Sequence, residues 1–239
     1  MMTRPDRRIS RMRCLGVVAA IVMAAGVAAS GCGAKRGIND SFKGDVDVAR
    51  FVGVFEGESR EIYRDRMAIT AAVGIRTGDV VADIGAGTGF FTLLFARAAG
   101  PNGEAIGVDI APQFLEHIQN RAKAEGVTNI RTVECAEDSV GLPPASVNLV
   151  FICDTYHHFE YPERTMQSIH SALKPGGEVV VIDFNRIEGQ SRPWVMDHVR
   201  CGKDQTIREI ETAGFKLIPH APTVATLTDN FLIRFRKVG

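Results

Sequence analysis

No two of the five cysteines (Cys14, Cys32, Cys135, Cys153 and Cys201) are spaced as Cys-x-x-Cys. A zinc knot and a dithiol redox centre both use that spacing, so neither is expected. Cys135 and Cys153 sit in apolar, strand-like runs and read as buried thiols. Net charge is also missing: 28 Lys and Arg balance 28 Asp and Glu over 239 residues. The balance is uneven along the chain, because residues 1–31 hold five Arg and one Asp. The remainder is mildly acidic, which gives no electrostatic reason to expect nucleic acid as a partner. A long hydrophobic run is absent too. Residues 14–29 are uninterrupted small and apolar, yet that is sixteen residues, short of the roughly 20 that cross a bilayer as a helix. What remains, at 45% hydrophobic and 23% charged, is an ordinary globular composition.

The start of the chain has its own pattern. Arg4, Arg7, Arg8, Arg11 and Arg13 precede the apolar run, which ends in Ala29-Ser30-Gly31-Cys32. A basic region, an apolar region and small residues describe an export leader over residues 1–31. The positive flank predicts that the body lies outside the cytoplasm. The end of the leader resembles a bacterial lipoprotein box, with Ala29 where Leu is usual. That resemblance implies cleavage before Cys32, a lipid on its thiol and a membrane-anchored protein of the cell envelope. An ordinary signal peptide, an uncleaved anchor, or a mispredicted start that leaves the protein cytoplasmic are the alternatives. Residues 32–56 read as a tether in which Phe51, Val52, Val54 and Phe55 cap part of the fold.

The stretch that organises the rest is Asp79-Val-Val-Ala-Asp-Ile-Gly-Ala-Gly-Thr-Gly-Phe-Phe-Thr92. Val80, Val81, Ala82 and Ile84 form the short apolar run of a buried parallel strand, interrupted by Asp83. Gly85, Gly87 and Gly89 then let the backbone turn and let a ligand approach its N–H groups. A dinucleotide fingerprint would need Gly or Ala where Phe90 stands, which argues against a nicotinamide oxidoreductase. Upstream, residues 57–75 carry a roughly helical stripe of Ile62, Met67, Ile69, Ala72 and Val73, with Ser59 as a candidate cap.

Downstream, strands and helices alternate. Residues 89–99 read as a helix. Glu104–Asp109 is a second strand ending in an acid, which suits the paired hydroxyls of a ribose. Pro112 opens a helix that Gly126 closes. Ile130–Glu134 is a third strand, followed by Cys135-Ala136-Glu137-Asp138. Val147–Cys153 is a fourth, with the exit Asp154-Thr155-Tyr156-His157-His158-Phe159-Glu160. Pro162–Leu173 is a helix, Lys174-Pro175-Gly176-Gly177 a tight turn and Glu178–Asp183 a fifth strand. Residues 185–202 are irregular and contain Trp194, His198 and Arg200; a loop of this length is often functional, with a plain surface loop as the alternative. A helix over 203–213 and two closing strands, Phe215–Pro219 and Asn230–Arg236, finish the chain. This order predicts a doubly wound α/β fold with a seven-stranded, mostly parallel sheet and an antiparallel last strand.

The Asp-x-Gly-x-Gly-x-Gly run, the acid ending the second strand, the acids after the third and the Leu-Lys-Pro-Gly-Gly turn resemble class I S-adenosylmethionine (SAM)-dependent methyltransferases over residues 57–238. The likeness is to the broad ubiquinone-biosynthesis-type branch acting on small molecules. Within it, Cys-Asp-Thr-Tyr-His-His-Phe-Glu and the ending Asn-Phe-Leu-Ile-Arg-Phe look like an exported bacterial subgroup. The resemblance implies SAM as cofactor. Asp83 with Gly85, Ala86, Gly87 and Gly89 would hold its methionine part, Asp109 and Ile110 its ribose, and Ala136 with Glu137 its adenine, Asp138 being the alternative acid. Tyr63 and Arg64 are expected over the cofactor.

Asp154, Tyr156, His157 and His158 border the transferable methyl in that fold, with Asp154 also beside the cofactor. Histidine can take a proton near neutral pH, so His157 or His158 is a candidate base for an oxygen or nitrogen nucleophile. No metal site is expected, because the histidine pair shows no third ligand. The working unit is expected to be a monomer acting on a small molecule. The competing reading is a non-catalytic SAM- or nucleoside-binding envelope protein.

Overall fold

The computed structural model describes Met1 and residues 37–239. The expected leader over residues 1–31, Met1 aside, and the expected lipid attachment at Cys32 lie outside the described residues. Helices α1 (Val48–Phe55), α2 (Glu61–Arg64) and α3 (Arg66–Val73) precede β1 (Val80–Ile84). Then come α4 (Phe90–Ala99), β2 (Glu104–Asp109), α5 (Pro112–Ala124), β3 (Ile130–Glu134) and β4 (Val147–Cys153). The chain ends with α6 (Pro162–Ala172), β5 (Leu173–Phe184), α7 (Pro193–His198), α8 (Lys203–Thr212), β6 (Phe215–Leu217) and β7 (Asn230–Lys237).

One seven-stranded sheet runs β3-β2-β1-β4-β5-β7-β6. Strands β1 to β5 are parallel, and β7 runs antiparallel to both β5 and β6. The expected fold class is the observed one. Because β2 and β4 flank β1, the chain reverses its winding there and opens a crevice at the carboxyl ends of the strands.

Side-chain alternation sorts the core into two faces. Val81, Phe151, Val180 and Ile182 pack with Ile69, Val73, Phe91 and Phe95 of α3 and α4. Their neighbours Ala82, Ile84, Val150, Ile152, Val179 and Val181 pack with Met166, Ile169 and Ile210 of α6 and α8. Phe151 is fully buried, edge-on to Phe91 at 4.8 Å and to Phe95 at 4.9 Å between ring centroids. Burying a side chain of that size contributes about 1.5–3 kcal/mol.

Several local expectations need correcting. The helix over 57–75 is broken at Asp65, between α2 and α3. Ser59 is not its cap; Arg60 occupies that position without a side-chain bond. Met67 points outward and is 63% exposed, while Ile62, Ile69 and Val73 are buried. The break re-phases the stripe, which a continuous helix does not allow for.

The Lys174–Gly177 turn lies within the bounds of β5 as an irregularity: Val147 pairs with Leu173, and Leu149 pairs with Glu178. The 185–202 segment contains α7. Residues 37–55 are folded rather than a free tether. Phe42 and Phe51 close on Phe114 of α5, with centroid distances of 6.3 and 5.5 Å, and Val46 is buried beside them. An amphipathic stretch with three phenylalanines gains more by covering that face than by staying solvated.

Candidate active site

The carboxyl ends of β1 to β4 surround a cavity of about 390 Å³. Its first wall is the β1–α4 loop. Gly85 turns the chain with φ +69, and a Cβ there would lie 2.3 Å from the Thr155 side chain. Gly89, with φ +76, starts α4, and a Cβ there would lie 2.4 Å from Ile118. These two positions require glycine for conformation and for space. Gly85, Ala86 and Gly87 line the cavity; Gly89 does not. Gly89 lies outside the cavity lining, a turn residue packed on Ile118 of α5. Phe90 lines the cavity with its ring against Phe91, 4.3 Å away.

Two carboxylates stand at this wall. Asp83 is 4% exposed and accepts a 2.7 Å hydrogen bond from the Thr92 hydroxyl. Burial pushes its carboxyl up to about 7, with the Thr92 bond opposing and the Asp109 charge adding. Asp109 accepts from the Gly87 N–H at 2.9 Å and from the Ala111 N–H at 3.0 Å. Burial raises its pKa against those backbone bonds. A carboxylate has about four acceptor sites, so Asp109 can hold the loop and still receive hydroxyl groups. Ile110 and Ala136 also line the cavity. Of the two acids after β3, Glu137 reaches the cavity and is ion-paired with Lys43 at 2.6 Å. Asp138 is turned to the surface, 3.3 Å from Arg164.

The opposite wall is the exit of β4. Asp154 adopts φ +47, a left-handed conformation that Asp tolerates better than most residues. Its carboxylate is held at 2.5 Å by Arg60 and at 2.5 Å by the Asn230 amide. Burial pushes its pKa up while the Arg60 charge pulls it down. Asp154 thus faces the cavity as the anchor of an ion pair, not as a bare acid. Arg60 lies over the Phe55 ring, 5.3 Å from its centroid, which ties α1 to the same corner. A Cβ on Gly87 would meet Phe55 at 3.2 Å, so α1 sits directly on the glycine loop.

Tyr156 is the clear correction. It is fully buried on the far side, its hydroxyl donating to Glu209 of α8 at 2.9 Å, and it does not line the cavity. The 3-10 turn Tyr156–His158 sends consecutive side chains to different sides. His157 and His158 do face the cavity. His157 donates its backbone N–H to Asp183 at 2.9 Å, and its ring Nδ1 lies 2.7 Å from the other carboxylate oxygen. His158 Nδ1 is 3.2 Å from the Asn39 Oδ1, and the Asn39 amide donates to the His158 carbonyl at 3.1 Å. Burial, reinforced by the neighbouring histidines, pushes the His158 pKa down to about 3. At neutral pH it is an uncharged ring and a weak base.

His198 of α7 completes the wall, with its Nε2 3.4 Å from His158 Nε2 and Trp194 stacked on it at 4.9 Å. Cys135 and Cys153 also line the cavity. Burial raises both thiols, Cys135 to about 12, so neither is a thiolate nucleophile. Tyr63 and Arg64, expected over the cofactor, do not line the cavity; Arg60 and Ile62 from the same segment do. Sequence reasoning missed Arg60, Asn230, Asn39 and Asp183 as partners of the site. Among them only Asp183, an acid ending a β-strand, carries a local signal.

Residues 81–177 match the Methyltransf_25 family, described as a methyltransferase domain. The chain is 30% identical over 183 residues to the ubiquinone/menaquinone biosynthesis C-methyltransferase UbiE of Burkholderia mallei, covering 72% of this chain and 74% of that protein. It is 28% identical over 153 residues to the UbiE of Hydrogenovibrio crunogenus, covering 64% of this chain and 59% of that protein. The match to that relative thus spans well under two thirds of its length. A SAM-dependent methyltransferase from Aquifex aeolicus shares the fold, with a TM-score of 0.70, 18% identity and coverage of 81% of this chain and 100% of that one.

The cavity fits that family's cofactor. Its wall holds Asp83, a buried carboxylate compensated only by hydrogen bonds and by no ion pair among the described residues, which a cationic amine would neutralise. The chain belongs to the class I S-adenosylmethionine-dependent methyltransferase family.

Proposed function

We propose that the protein transfers a methyl group from SAM to an oxygen or nitrogen nucleophile on a small, largely apolar molecule. One observation carries this reading. Asp83, the Gly85–Gly87 backbone, Asp109 and Glu137 converge from three strand ends on one side of the cavity that His157, His158 and His198 close on the other. Bound there, SAM supplies an electrophilic methyl carbon on a sulfonium.

The chain's residues supply the rest. Asp83 neutralises the amine of the methionine part, and Asp109 accepts from the ribose hydroxyls. Glu137 and the backbone at Ala136 meet the adenine edge. The Arg60–Asp154–Asn230 corner fixes the floor between the cofactor and acceptor halves. The histidine wall receives the acceptor's polar atom, while Phe42, Phe55, Phe184 and Trp194 give it an apolar, water-excluding surround. Catalysis then comes from holding the nucleophile in line, about 3–3.5 Å from the methyl carbon. With SAM held there, the acceptor's lone pair would take the methyl group and the thioether would be the leaving group; the chain's part is to position the two and exclude water. The nucleophile's proton leaves through the histidine wall.

The test is transfer of a radiolabelled methyl group from SAM to a panel of phenols, amines and reduced quinones. A labelled product that disappears in Asp109→Ala supports the reading. Stoichiometric SAM binding without any labelled product across the panel and cell extracts favours the non-catalytic alternative.

We also propose that residues 1–31 are an export leader and that Cys32 carries a lipid, which makes the protein a membrane-anchored monomer of the envelope. The leader's basic and apolar regions support this. Among the described residues no helix is long and apolar enough to cross a membrane. Fatty-acid labelling should mark the wild type and not Cys32→Ala. Equal labelling of both, or of neither, overturns it.

A further inference from the structure

We propose that His157, His158 and His198 form a binding site for a divalent transition cation of the zinc type. The site lies at the acceptor end of the cavity, with one position left open for the acceptor. The three side chains each offer one ring nitrogen, and no two of those atoms are further apart than 4.8 Å. The His158 and His198 Nε2 atoms are 3.4 Å apart. Two nitrogens at about 2.0–2.1 Å from a tetrahedral zinc lie roughly 3.3–3.4 Å from each other. One edge of the tetrahedron is therefore already in place, and closing the others takes about 1.4 Å or less, within reach of imidazole rotation.

The surroundings prepare the rings as ligands. The partners at Nδ1 are a carboxylate for His157 and an amide oxygen for His158. Asn39 is oriented by its own donation to the His158 carbonyl, so its oxygen is the atom that faces the ring. Both partners accept, so each Nδ1 carries the proton and each Nε2 keeps its lone pair for the cavity. A carboxylate behind a histidine is the usual support for a zinc-bound imidazole, fixing its tautomer and raising its basicity. Trp194, stacked on His198, and Phe184, edge-on to His157 at 5.7 Å, hold two of the rings by packing. Three protein nitrogens with a fourth position open are the ligand set of a catalytic rather than a structural zinc site.

The cation would act on the acceptor, a role that rests on the methyl-transfer reading above; the site itself does not. An acceptor hydroxyl bound as fourth ligand would lose its proton to solvent more readily, because the cation stabilises the oxyanion. The resulting oxygen lone pair then attacks the methyl carbon. No redox change and no further reactant is needed.

The test uses the full chain with an affinity tag that contains no histidine, stripped of metal and titrated with Zn²⁺ against a chromogenic chelator, and separately with Co²⁺. The expected result is one equivalent of Zn²⁺ per chain, and a Co²⁺ ligand-field spectrum of a low-coordinate nitrogen site. His198→Ala should lose the tight equivalent while keeping its circular dichroism and its SAM binding. Asp183→Asn should weaken Zn²⁺ about 10–100-fold. Where His198→Ala does not fold, His158→Gln takes its place. A wild type that binds Zn²⁺ no better than these variants, or a Co²⁺ spectrum that stays that of the hydrated ion, overturns the proposal. SAM binding with no metal site would leave the methyltransferase reading standing, and a metal site without SAM binding would do the reverse.

Discussion

Asp183 holds His157 twice, accepting the backbone N–H at 2.9 Å and facing the ring Nδ1 at 2.7 Å with its other oxygen. One buried carboxylate at the end of β5 therefore sets both where the β4 exit loop sits and how its imidazole is turned. Asp183 is 3% exposed, and its pKa is held below the usual carboxylate range. Burial opposes this lowering, but the His157 interactions and the backbone donors outweigh it. Replacing Asp183 by Asn should cost about 1–3 kcal/mol of stability, the range for an impaired buried hydrogen bond. Urea denaturation measures it. SAM affinity should change little, because Asp183 does not line the cofactor wall.

Asp83 makes SAM affinity pH-dependent. Its pKa is about 7 in the folded protein and about 3.9 in an unfolded chain. The folded state therefore binds this proton more tightly. Its contribution to the stability of the free protein is present below about pH 4 and is lost as pH rises through about 7. A cationic amine requires the ionised form, so SAM affinity should rise by up to about tenfold per pH unit and level off above about pH 7. Asp83→Asn should bind more weakly and show no such slope. Calorimetric titrations from pH 5.5 to 8.5 decide it.

Gly85 cannot be replaced without moving the β4 exit. Its φ of +69 and the 2.3 Å approach of Thr155 make Gly85→Ala both strained and overpacked. The expected result is a loss of about 1–3 kcal/mol in stability and at least about tenfold in SAM affinity, or about 1.4 kcal/mol. Unchanged affinity would mean that the loop does not carry the cofactor.

Tyr156 tests which residues of the exit loop touch the chemistry. Tyr156→Phe removes the hydroxyl that reaches Glu209, but Arg200 keeps its two bonds to that carboxylate at 2.9 and 2.6 Å. Stability should fall by about 0.5–1.5 kcal/mol, while SAM affinity and methyl transfer stay unchanged.

Strands β1, β2, β4 and β5 could be read from the sequence because each is a short apolar run with an acid at or next to its carboxyl end. Asp83 and Asp109 lie at the same end of the sheet for that reason. The acceptor side was harder to read because its contacts are made across long separations. Arg60 reaches Asp154 across 94 residues and Asn39 reaches His158 across 119. Neither pairing leaves a local pattern. Tyr156 and His157 are adjacent and look equally available, but a 3-10 turn sends one into the core and one into the cavity. Within residues 32–56, Phe51 and Phe55 are legible as a cap on the fold, but glycines and mixed polarity hide Phe42 and Val46, which join them against Phe114. The third ligand position, His198, was visible only as a polar residue in an irregular insertion, until α7 carried it to 3.4 Å from His158.

The central claim is that the cavity at the ends of β1 to β4 holds SAM. The most direct measurement is isothermal titration of the full chain with SAM, beside Asp109→Ala confirmed as folded by circular dichroism. The account predicts one site per chain in the wild type and a loss of at least about tenfold, or about 1.4 kcal/mol, in the variant. A folded wild type that gives no binding heat at two temperatures, or a variant that binds as tightly as the wild type, would contradict it.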